Sequence, residues 1–444
     1  MTGAAAARPA PRPVTHRRVL SIALPIVLSN ATVPILGVVD TGVVGQLGEA
    51  APIGAVGLGA VVLAAVYWVF GFLRMGTVGL AGQAFGEDDH AEAAAILTRA
   101  LLIAAAGGLA LIALQWLIIP GALALAQGEA RVEALAAQYM AIRIWSAPAA
   151  IAIYGITGWL IAQERTRAVL VLQFWMNGLN VALDLWFVLG LGWGVGGVAS
   201  ATLIAEWSAL ALGLWQCRAA FAGTAWRERA RVFDPVRLAR LGAVSSDILI
   251  RSVLLQVIFT SFLFLGAGLS TVELAANQVL LQFLYVTSYA LDGFAFAAEA
   301  LVAQALGARR RALLRRAALV TSGWGLACVV LMAAAFALFG GAIVDLMTTA
   351  PEVRAEARRY LGWMVAAPLV GIAAWMLDGI FIGATQTRDM RDMMVVAFAA
   401  YVAAVLVLLP VYGNHGLWAA LLLSFAVRGI TLGLRYGRVE ARAA

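Results

Sequence analysis

Apolar runs of about twenty residues recur along the whole chain of 444 residues, and they constrain its fold more than any other feature. A helix needs about 20 such residues to cross a hydrocarbon core of about 30 Å, whereas the strands of a membrane barrel are about half as long and alternate in polarity. Only 12% of the residues are charged and 63% are hydrophobic, which excludes a soluble globular protein. The sequence therefore predicts an all-α integral membrane protein with several spans.

The chain divides into two halves with six predicted transmembrane helices each. The predicted organisation is a disordered tail at 1–17, a first six-helix lobe at 18–217, a linker at 218–240, a second lobe at 241–436 and a tail at 437–444. The first tail is rich in Ala, Pro and Arg, so we expect residues 1–15 to be dispensable.

The two halves match at a constant offset of 221 residues. The matching pairs are Gln83 with Gln304, Gly86 with Gly307, Tyr139 with Tyr360, and Gly158 with Gly379. Six spans is an even number, so both halves enter the membrane in the same direction and are expected to be related by a pseudo-twofold axis along the membrane normal. Repeats of this kind usually bind substrate at their interface and expose it alternately, which favours a transporter.

Arginine is concentrated in alternate loops, and this distribution predicts the orientation of the chain. The first tail, the linker and the segment from Arg309 to Arg316 are rich in Arg, while the opposite loops contain few. By the positive-inside rule both termini are cytoplasmic. The net charge of +7 therefore reflects topology, and we expect no nucleic-acid partner.

The first half contains the polar residues that are most expensive to place in a membrane. Asp40 lies near the end of the first span, and Asn177, Asn180 and Asp184 share one face of the fifth helix at i, i+3 and i+7. Thr202, early in the sixth helix, adds a hydroxyl at a similar depth. These oxygens would hold Na⁺ or hydrogen-bond a protonated aspartate; the alternative is a polar clamp between helices.

Asp40 has the properties of a proton-coupling group. Pro34 lacks an N–H and permits a bend in the same span. Burial and a second carboxylate both oppose ionisation, and the sequence identifies no basic partner at that depth. We therefore expect Asp40 to exchange a proton near neutral pH, and we favour H⁺ over Na⁺ as the coupling ion.

The second-half carboxylates allow several interpretations. Asp247 and Arg251 are spaced i,i+4 and are expected to neutralise each other. Asp292, Glu299 and Asp378 either pair with Arg74 or Arg428 or line a cavity for a cationic substrate. Asn177, Trp175 and Met176 are further candidates for the substrate cavity; for Trp175 and Met176 the alternative is a lipid-facing or core role.

Several segments together resemble the multidrug and toxic compound extrusion (MATE) family, specifically its DinF branch. They are Val39-Asp40-Thr41 with Val44-Gly45-Gln46-Leu47-Gly48, Phe72-Leu73-Arg74-Met75-Gly76-Thr77 with Ala84-Phe85-Gly86, Leu291-Asp292-Gly293-Phe294-Ala295, and Leu377-Asp378-Gly379 with Gly383-Ala384-Thr385-Gln386. The resemblance covers essentially the whole chain after the first tail.

The resemblance implies a two-lobe antiporter that exports cationic or amphipathic compounds across a bacterial cytoplasmic (inner) membrane against an inward flux of H⁺ or Na⁺. It implies that Asp40 is the coupling carboxylate and that Asn180, Asp184 and Thr202 complete the cation site. Apart from that ion no cofactor is expected. The expected partners are small-molecule substrates and membrane lipid, with no obligate protein partner.

The sequence is less consistent with three other functions than with antiport. A lipid-linked precursor flippase of the same superfamily would be expected to carry more central cationic residues; Arg74, Arg143, Arg251 and Arg428 are the arginines that lie well inside the spans. An enzyme is disfavoured because the three His residues are dispersed and show no catalytic spacing. A passive channel is disfavoured because no repeated filter-like sequence is present.

Overall fold

A computed structural model describes residues 12–46, 48–126 and 129–443, and within these ranges the chain forms helices and turns with no strand. The α-helices of the first half are α1 (His16–Ala31), α2 (Val33–Gly45), α3 (Ala50–Trp68), α4 (Phe72–Gly86), α5 (His90–Ala113), α6 (Gln115–Ala126), α7 (Ala130–Arg143), α8 (Ala147–Ala162), α9 (Thr166–Asp184) and α10 (Gly194–Gln216). The later helices are α11 (Arg229–Val232), α12 (Pro235–Ala267), α13 (Thr271–Gly307), α14 (Arg311–Met347), α15 (Pro351–Gly383), α16 (Thr387–Tyr412) and α17 (Asn414–Ala441).

Eleven helical segments in the described ranges are long and apolar enough to cross a membrane. Two of them are pairs of helices joined by a short 3₁₀ turn, α3 with α4 and α7 with α8, and a third, Arg229–Ala267, combines α11 with α12. The remaining span is α1 with α2, which are separated by Thr32. The prediction of an all-α protein with twelve spans is confirmed, and the first span is an interrupted helix.

The repeat seen in the sequence extends to the helix boundaries. The segment from Ala50 to Gly86 and helix α13 begin and end 221 residues apart. Two left-handed residues in the first half, Asp88 (φ 63°) and Glu164 (φ 62°), have counterparts at the same offset in Arg309 (φ 51°) and Thr385 (φ 50°). Positive φ is uncommon outside glycine. The two lobes therefore share local backbone geometry as well as sequence.

The lobes pack closely where α4 meets α13. A Cβ on Gly86 would collide with the backbone oxygen of Gln304, and a Cβ on Gly307 would collide with that of Gln83. These two contacts exchange under the 221-residue offset. A glycine is therefore required at each position by the approach of the other lobe, and the contact lies where the pseudo-twofold axis must pass.

Arg18 joins the two lobes at the end of the molecule that carries both described chain ends, which we call the terminal face. Its guanidinium donates to both carboxylate oxygens of Glu164, at 2.5 and 2.8 Å, and to Gln304 Oε1 at 3.2 Å. Glu164 belongs to the first lobe and Gln304 to the second. We call this group the Arg18 latch.

Arg240 forms the corresponding latch on the other side of the axis. Its Nη2 donates to Gln83 Oε1 at 2.6 Å and to Thr385 Oγ1 at 3.3 Å. Gln83 and Thr385 are the counterparts of the two acceptors in the Arg18 latch. Because a neutral threonine takes the place of Glu164, the latches are similar in position but differ in charge.

The termini and the linker are more ordered than the sequence indicates. The predicted disorder at residues 1–11 lies outside the described residues. Among residues 12–17, Val14 is buried and its carbonyl accepts from Arg316 Nε at 2.7 Å, while the others are exposed. At the other end α17 continues to Ala441 and Val439 is fully buried. Within the linker, α12 already begins at Pro235. These ends therefore have tertiary partners that their composition does not indicate, and the lobe and tail boundaries stay predictions.

Two truncations should differ in stability. Removing residues 2–11 is expected to leave the melting temperature of the purified protein unchanged. Removing residues 2–15 also removes Val14 and the Thr15 hydroxyl that accepts from Arg18 N at 3.2 Å. Loss of such a helix cap costs about 1 kcal/mol. Equal melting temperatures of the two truncations in detergent would contradict this prediction.

Candidate functional site

Asp40, Asn180, Asp184 and Thr202 come together in the first lobe. Asp40 is on α2, Asn180 and Asp184 are on α9, and Thr202 is on α10. Asp184 and Asn180 are almost completely buried, whereas Asp40 is partly exposed. The side-chain amide of Asn180 lies 3.1 Å from Asp184 Oδ2 and 3.2 Å from Asp40 Oδ1, so the two carboxyl groups adjoin each other. Adjoining carboxyl groups away from water favour a proton on one of them, or a cation that both can share.

The amide of Asn180 lies between the two carboxylates and Thr202. With its NH₂ group toward the carboxylates it donates to Asp184 Oδ2 at 3.1 Å and to Asp40 Oδ1 at 3.2 Å, and its oxygen accepts from Thr202 Oγ1 at 3.0 Å. In the opposite orientation Nδ2 donates to Thr202 Oγ1, and the amide oxygen faces the carboxylates. That orientation is favourable only with a proton or a cation among the three oxygens, since acceptors repel one another.

The backbone changes at Asp184, the last residue of α9. The next six residues, Leu185–Gly190, form a π-helix, a rare element that is often found at functional sites. Asp184 Oδ1 is buried without a hydrogen-bond partner among the described residues. A buried carboxylate oxygen in this state is suited to a cation or a proton. The donor set of carboxylate, amide and hydroxyl oxygens therefore fits either coupling ion.

The interruption of the first span adjoins this cluster. Thr32 separates α1 from α2, and Pro34 lies in the first turn of α2, where its missing N–H cannot continue the hydrogen bonds of α1 into α2. Asn177 Nδ2 donates to Thr32 Oγ1 at 2.8 Å. Asn177 therefore contacts the break itself, while Asn180 and Asp184, further along the same helix, reach Asp40.

A basic residue lies near the cluster, contrary to our expectation. Arg143 is close enough for its charge to act on both Asp40 and Asp184. Its Nη1 donates to Glu206 Oε2 at 2.6 Å and to Ser146 Oγ at 2.8 Å. Because Glu206 already neutralises it, Arg143 is not a dedicated counter-charge for the two aspartates. The sequence shows an arginine inside a span, but not its neighbours.

In the second lobe, the expected pairing of Asp247 with Arg251 was wrong. Asp247 Oδ1 accepts from Arg391 Nη1 at 2.6 Å, and Oδ2 accepts from Thr387 at 3.0 Å. Arg251 instead pairs with Asp378 on α15. One turn of a helix brings two side chains close, but here each has a stronger partner on another helix.

Asp378 is a buried ion-pair residue in this structure and does not line an open cavity. It is 4% exposed and pairs with Arg251, and Arg428 Nη2 lies 3.7 Å from the same Oδ2. Oδ1 of Asp378 and Nε of both arginines are buried without hydrogen-bond partners among the described residues. The geometry favours the ion-pair alternative for Asp378, and its cavity role stays a prediction.

The other two candidate carboxylates of the second lobe differ in whether they pair with an arginine. Glu299 is buried and accepts from Arg74 Nη1 at 2.9 Å, across the lobe interface. Arg74 also stacks over the Phe296 ring, 3.8 Å from its centroid. Asp292 is partly exposed, and the contact described for it is with Asn30 Nδ2, at 3.4 Å. Asp292 therefore remains a candidate for contact with substrate.

Trp175 and Met176 lie on the same helix as the cluster but differ in placement. Trp175 is half exposed, and its indole N–H donates to Ser208 Oγ on α10 at 3.1 Å. Met176 is partly buried and precedes Asn180 by four residues, so the two share a face of α9. Met176 is the better placed of the two to border the cluster.

A cavity of about 820 Å³ opens at the terminal face between the lobes. Phe85 and Trp159 form part of its wall, together with all three residues of the Arg18 latch. None of the candidate site residues lines it. This cavity is therefore separate from the Asp40 cluster.

Comparisons with known proteins agree over almost the whole chain. The MatE family profile matches residues 25–186 and 248–411. DNA damage-inducible protein F of Escherichia coli strain K12 is 40% identical over 93% of this chain and 90% of its own length. The probable multidrug resistance protein NorM of Pseudomonas aeruginosa is 28% identical over 96% of this chain and 90% of its own.

Among solved structures, the MATE transporter VcmN of Vibrio cholerae in its bent form superposes with a TM-score of 0.87. The match covers 96% of this chain and 97% of that one at 18% identity, and it supports the fold alone. Fold, profile and sequence identity therefore agree: the chain is a multi-pass membrane transporter of the MatE family, in its DinF branch.

Proposed function

We propose that the protein is a secondary active multidrug efflux antiporter, which exports cationic or amphipathic compounds in exchange for H⁺, with Na⁺ as the alternative ion. The observation that carries this proposal is the contact of two carboxyl groups and one amide beside an interrupted helix. The membrane is a bacterial inner membrane, with both termini in the cytoplasm. Relatives named as multidrug resistance proteins support the substrate class.

The coupling ion binds at Asp40 and Asp184. A proton shared between them removes the repulsion of two buried like charges, and Na⁺ would do the same with Asn180 and Thr202 as neutral ligands. Asn180 adapts to either occupant, because rotation of its amide presents a donor or an acceptor to the carboxylates. Loss of the ion leaves two adjoining negative charges. The cluster then moves, which reduces the repulsion between them.

Movement of the cluster reaches the rest of the molecule through the first span. Asp40 is on α2, the helix that follows the break. On the other side of the break, α1 packs against α9 of its own lobe and α13 of the other. An ion drives transport only if it binds one arrangement of the span more tightly than the other. The break supplies two arrangements, and the shared ion selects between them.

The flippase alternative is weakened by the state of the central arginines. Arg74, Arg143 and Arg251 each pair with a carboxylate in a span, and Arg428 lies beside Asp378. A pyrophosphate headgroup requires free cationic groups at its site. The described part of the chain offers none of these four for that purpose.

Transport in proteoliposomes separates the two ions. We expect ethidium export to respond to a pH gradient imposed at fixed Na⁺, because two adjoining buried carboxyl groups readily share one proton. Ethidium fluorescence with each gradient imposed alone is the measurement. Export that follows the Na⁺ gradient alone, with no response to an acid pulse, would assign the coupling to Na⁺.

Thr202→Val provides the matched variant for the same assay. It removes one neutral oxygen and keeps the shape of the side chain. Proton-driven export should persist, since Asp40 and Asp184 both remain. Na⁺-driven export should require more Na⁺ than in the wild type, because a ligand has been lost.

A further inference from the structure

Asp292 differs from the other second-lobe carboxylates within the spans. Asp247, Glu299 and Asp378 each pair with an arginine. For Asp292, the described residues provide no arginine or histidine within ion-pairing distance, and its described contact is the 3.4 Å approach of Asn30 Nδ2. The charges of Arg74 and Arg251 act on it from a distance, but both are already paired. Asp292 is therefore available to a cationic ligand.

Asn30 connects this carboxylate to the first span. It is in the last turn of α1, two residues before Thr32, and its Nδ2 also points to the backbone oxygen of Tyr289 at 3.3 Å. Both distances exceed the usual range of about 2.7 to 3.2 Å, so each contact is weak. A weak contact with a carboxylate that has no arginine partner is one that a charged ligand can displace.

The break is therefore held from both lobes. On the first-lobe side Asn177 donates to Thr32, and on the second-lobe side Asn30 reaches Asp292. Asn177 is on the helix that supplies Asn180 and Asp184. The helix that carries Asn180 and Asp184 thus contacts the interruption through Asn177, and Asp292 reaches the end of α1 beside it through Asn30.

We propose that Asp292 binds the cationic group of the exported compound and that Asn30 transmits its occupancy to the break in the first span. This inference rests on the antiport function proposed above and names its substrate contact. An ammonium or aromatic cation at Asp292 displaces the amide of Asn30, because a charge-assisted contact is stronger than a long neutral one. The end of α1 is then released from the second lobe.

Release of Asn30 changes how α1 meets α2, which carries Asp40. Substrate and coupling ion therefore oppose each other without sharing a ligand. Such coupling is reciprocal, so the ion must weaken substrate binding by the same factor as the substrate weakens binding of the ion. Asn30 is a positioning residue in this scheme, and Asp292 is the substrate contact.

Ethidium binding to purified protein in detergent tests both roles, with fluorescence anisotropy measured at low pH and at high pH. Asp292→Asn is nearly isosteric and should raise the Kd for ethidium about tenfold or more, which corresponds to the loss of one charged contact. Asn30→Ala should keep ethidium binding, or strengthen it, because a competitor for Asp292 is lost. The effect that distinguishes Asn30→Ala is on the coupling between proton binding and ethidium binding.

In the wild type we expect the Kd for ethidium to change by about fivefold or more between the proton-occupied and proton-free states, as is typical of coupled sites. In Asn30→Ala that ratio should fall toward one. Gln256→Ala, an exposed amide on α12, is the matched control and should keep the wild-type ratio. Asp345→Asn, at a carboxylate that pairs with Arg358, is the control for Asp292.

Two results would overturn the inference: wild-type ethidium affinity in Asp292→Asn, or a wild-type coupling ratio in Asn30→Ala. These outcomes are distinct from failure of the proposed function. If the wild-type protein exports ethidium under an ion gradient and either result is found, only the inference fails. If the wild type exports no ethidium under either gradient, the antiport proposal itself is wrong.

Discussion

Asp40→Asn is expected to abolish ion-driven export while leaving a folded, membrane-inserted protein. The amide has nearly the shape of the carboxylate but can neither release a proton nor balance Na⁺. Asn180 Nδ2, which approaches Asp40 Oδ1 at 3.2 Å, would still find an oxygen acceptor. The cluster therefore keeps its packing and loses its titration. Ethidium export under the effective gradient should fall to the level of liposomes without protein.

Glu49→Gln is the matched control for this variant. Glu49 is the residue before α3 and pairs with Arg131 at an exposed position. Exposed ion pairs contribute little, about 0 to 1 kcal/mol, so export should remain at the wild-type rate. Drug resistance of cells carrying Asp40→Asn that equals the wild type at matched expression would remove Asp40 from the coupling mechanism.

Asp184→Asn distinguishes a shared ion from a single titrating group. If the two carboxyl groups hold one ion between them, loss of either charge should impair coupling severely. Full gradient-driven export by Asp184→Asn would make Asp184 a structural residue that serves Asp40 alone.

The α9 part of the first-lobe cluster could be predicted from local rules, whereas its assembly with Asp40 on α2 and Thr202 on α10 was implied by the resemblance to the MATE family. Three of the polar residues on α9 lie on one face by helical spacing. A carboxylate in a span indicates a functional site, because its transfer into the membrane costs free energy. The repeat was equally visible, because the offset of 221 residues recurs in the helix boundaries and in the residues with positive φ. Periodicity along the chain carries this information.

The sequence contains no comparable pattern that indicates which side chains pair between helices far apart in the chain. Arg251 and Asp378 are 127 residues apart, and Asp247 and Arg391 are 144 apart. The local i,i+4 rule pairs Asp247 with Arg251, but burial favours partners that also complete hydrogen bonds. The contact of Asn30 with Asp292 was missed for the same reason, since nothing in the chain around Asn30 points to α13.

The order in the termini could not be predicted either. Composition suggested a flexible tail as far as residue 17, yet Val14 is buried and bonded to Arg316, which lies on α14. One apolar residue in a polar segment is too weak a pattern to indicate docking. Its significance comes from the other lobe, which the sequence does not place beside it.

Asp378→Asn is expected to have the largest effect on stability. Asp378 is the carboxylate between Arg251 and Arg428, which are 8% and 3% exposed. Its neutralisation leaves two buried guanidinium groups without a counter-charge. Loss of one partner from a buried ion pair costs about 3 to 5 kcal/mol, so the melting temperature in detergent and the yield of monodisperse protein should both fall sharply.

Arg428→Met and the double variant test the cause. Arg428→Met leaves Arg251 and Asp378 as a neutral pair and places an apolar side chain near Met394, whose sulfur lies 3.9 Å from Arg428 Nη1. Its destabilisation should be smaller than that of Asp378→Asn. Asp378→Asn combined with Arg428→Met should be more stable than Asp378→Asn alone, because only one uncompensated charge remains.

The opposite result, in which Asp378→Asn affects substrate binding but not stability, would favour a substrate-cavity role for Asp378. A carboxylate that serves a cationic substrate can be neutralised without loss of stability, and its loss appears in ethidium binding. Asp378→Asn with a wild-type melting temperature and weakened ethidium binding would therefore contradict the structural role. The melting temperature separates the two roles because an unpaired buried charge destabilises the fold whether or not substrate is present.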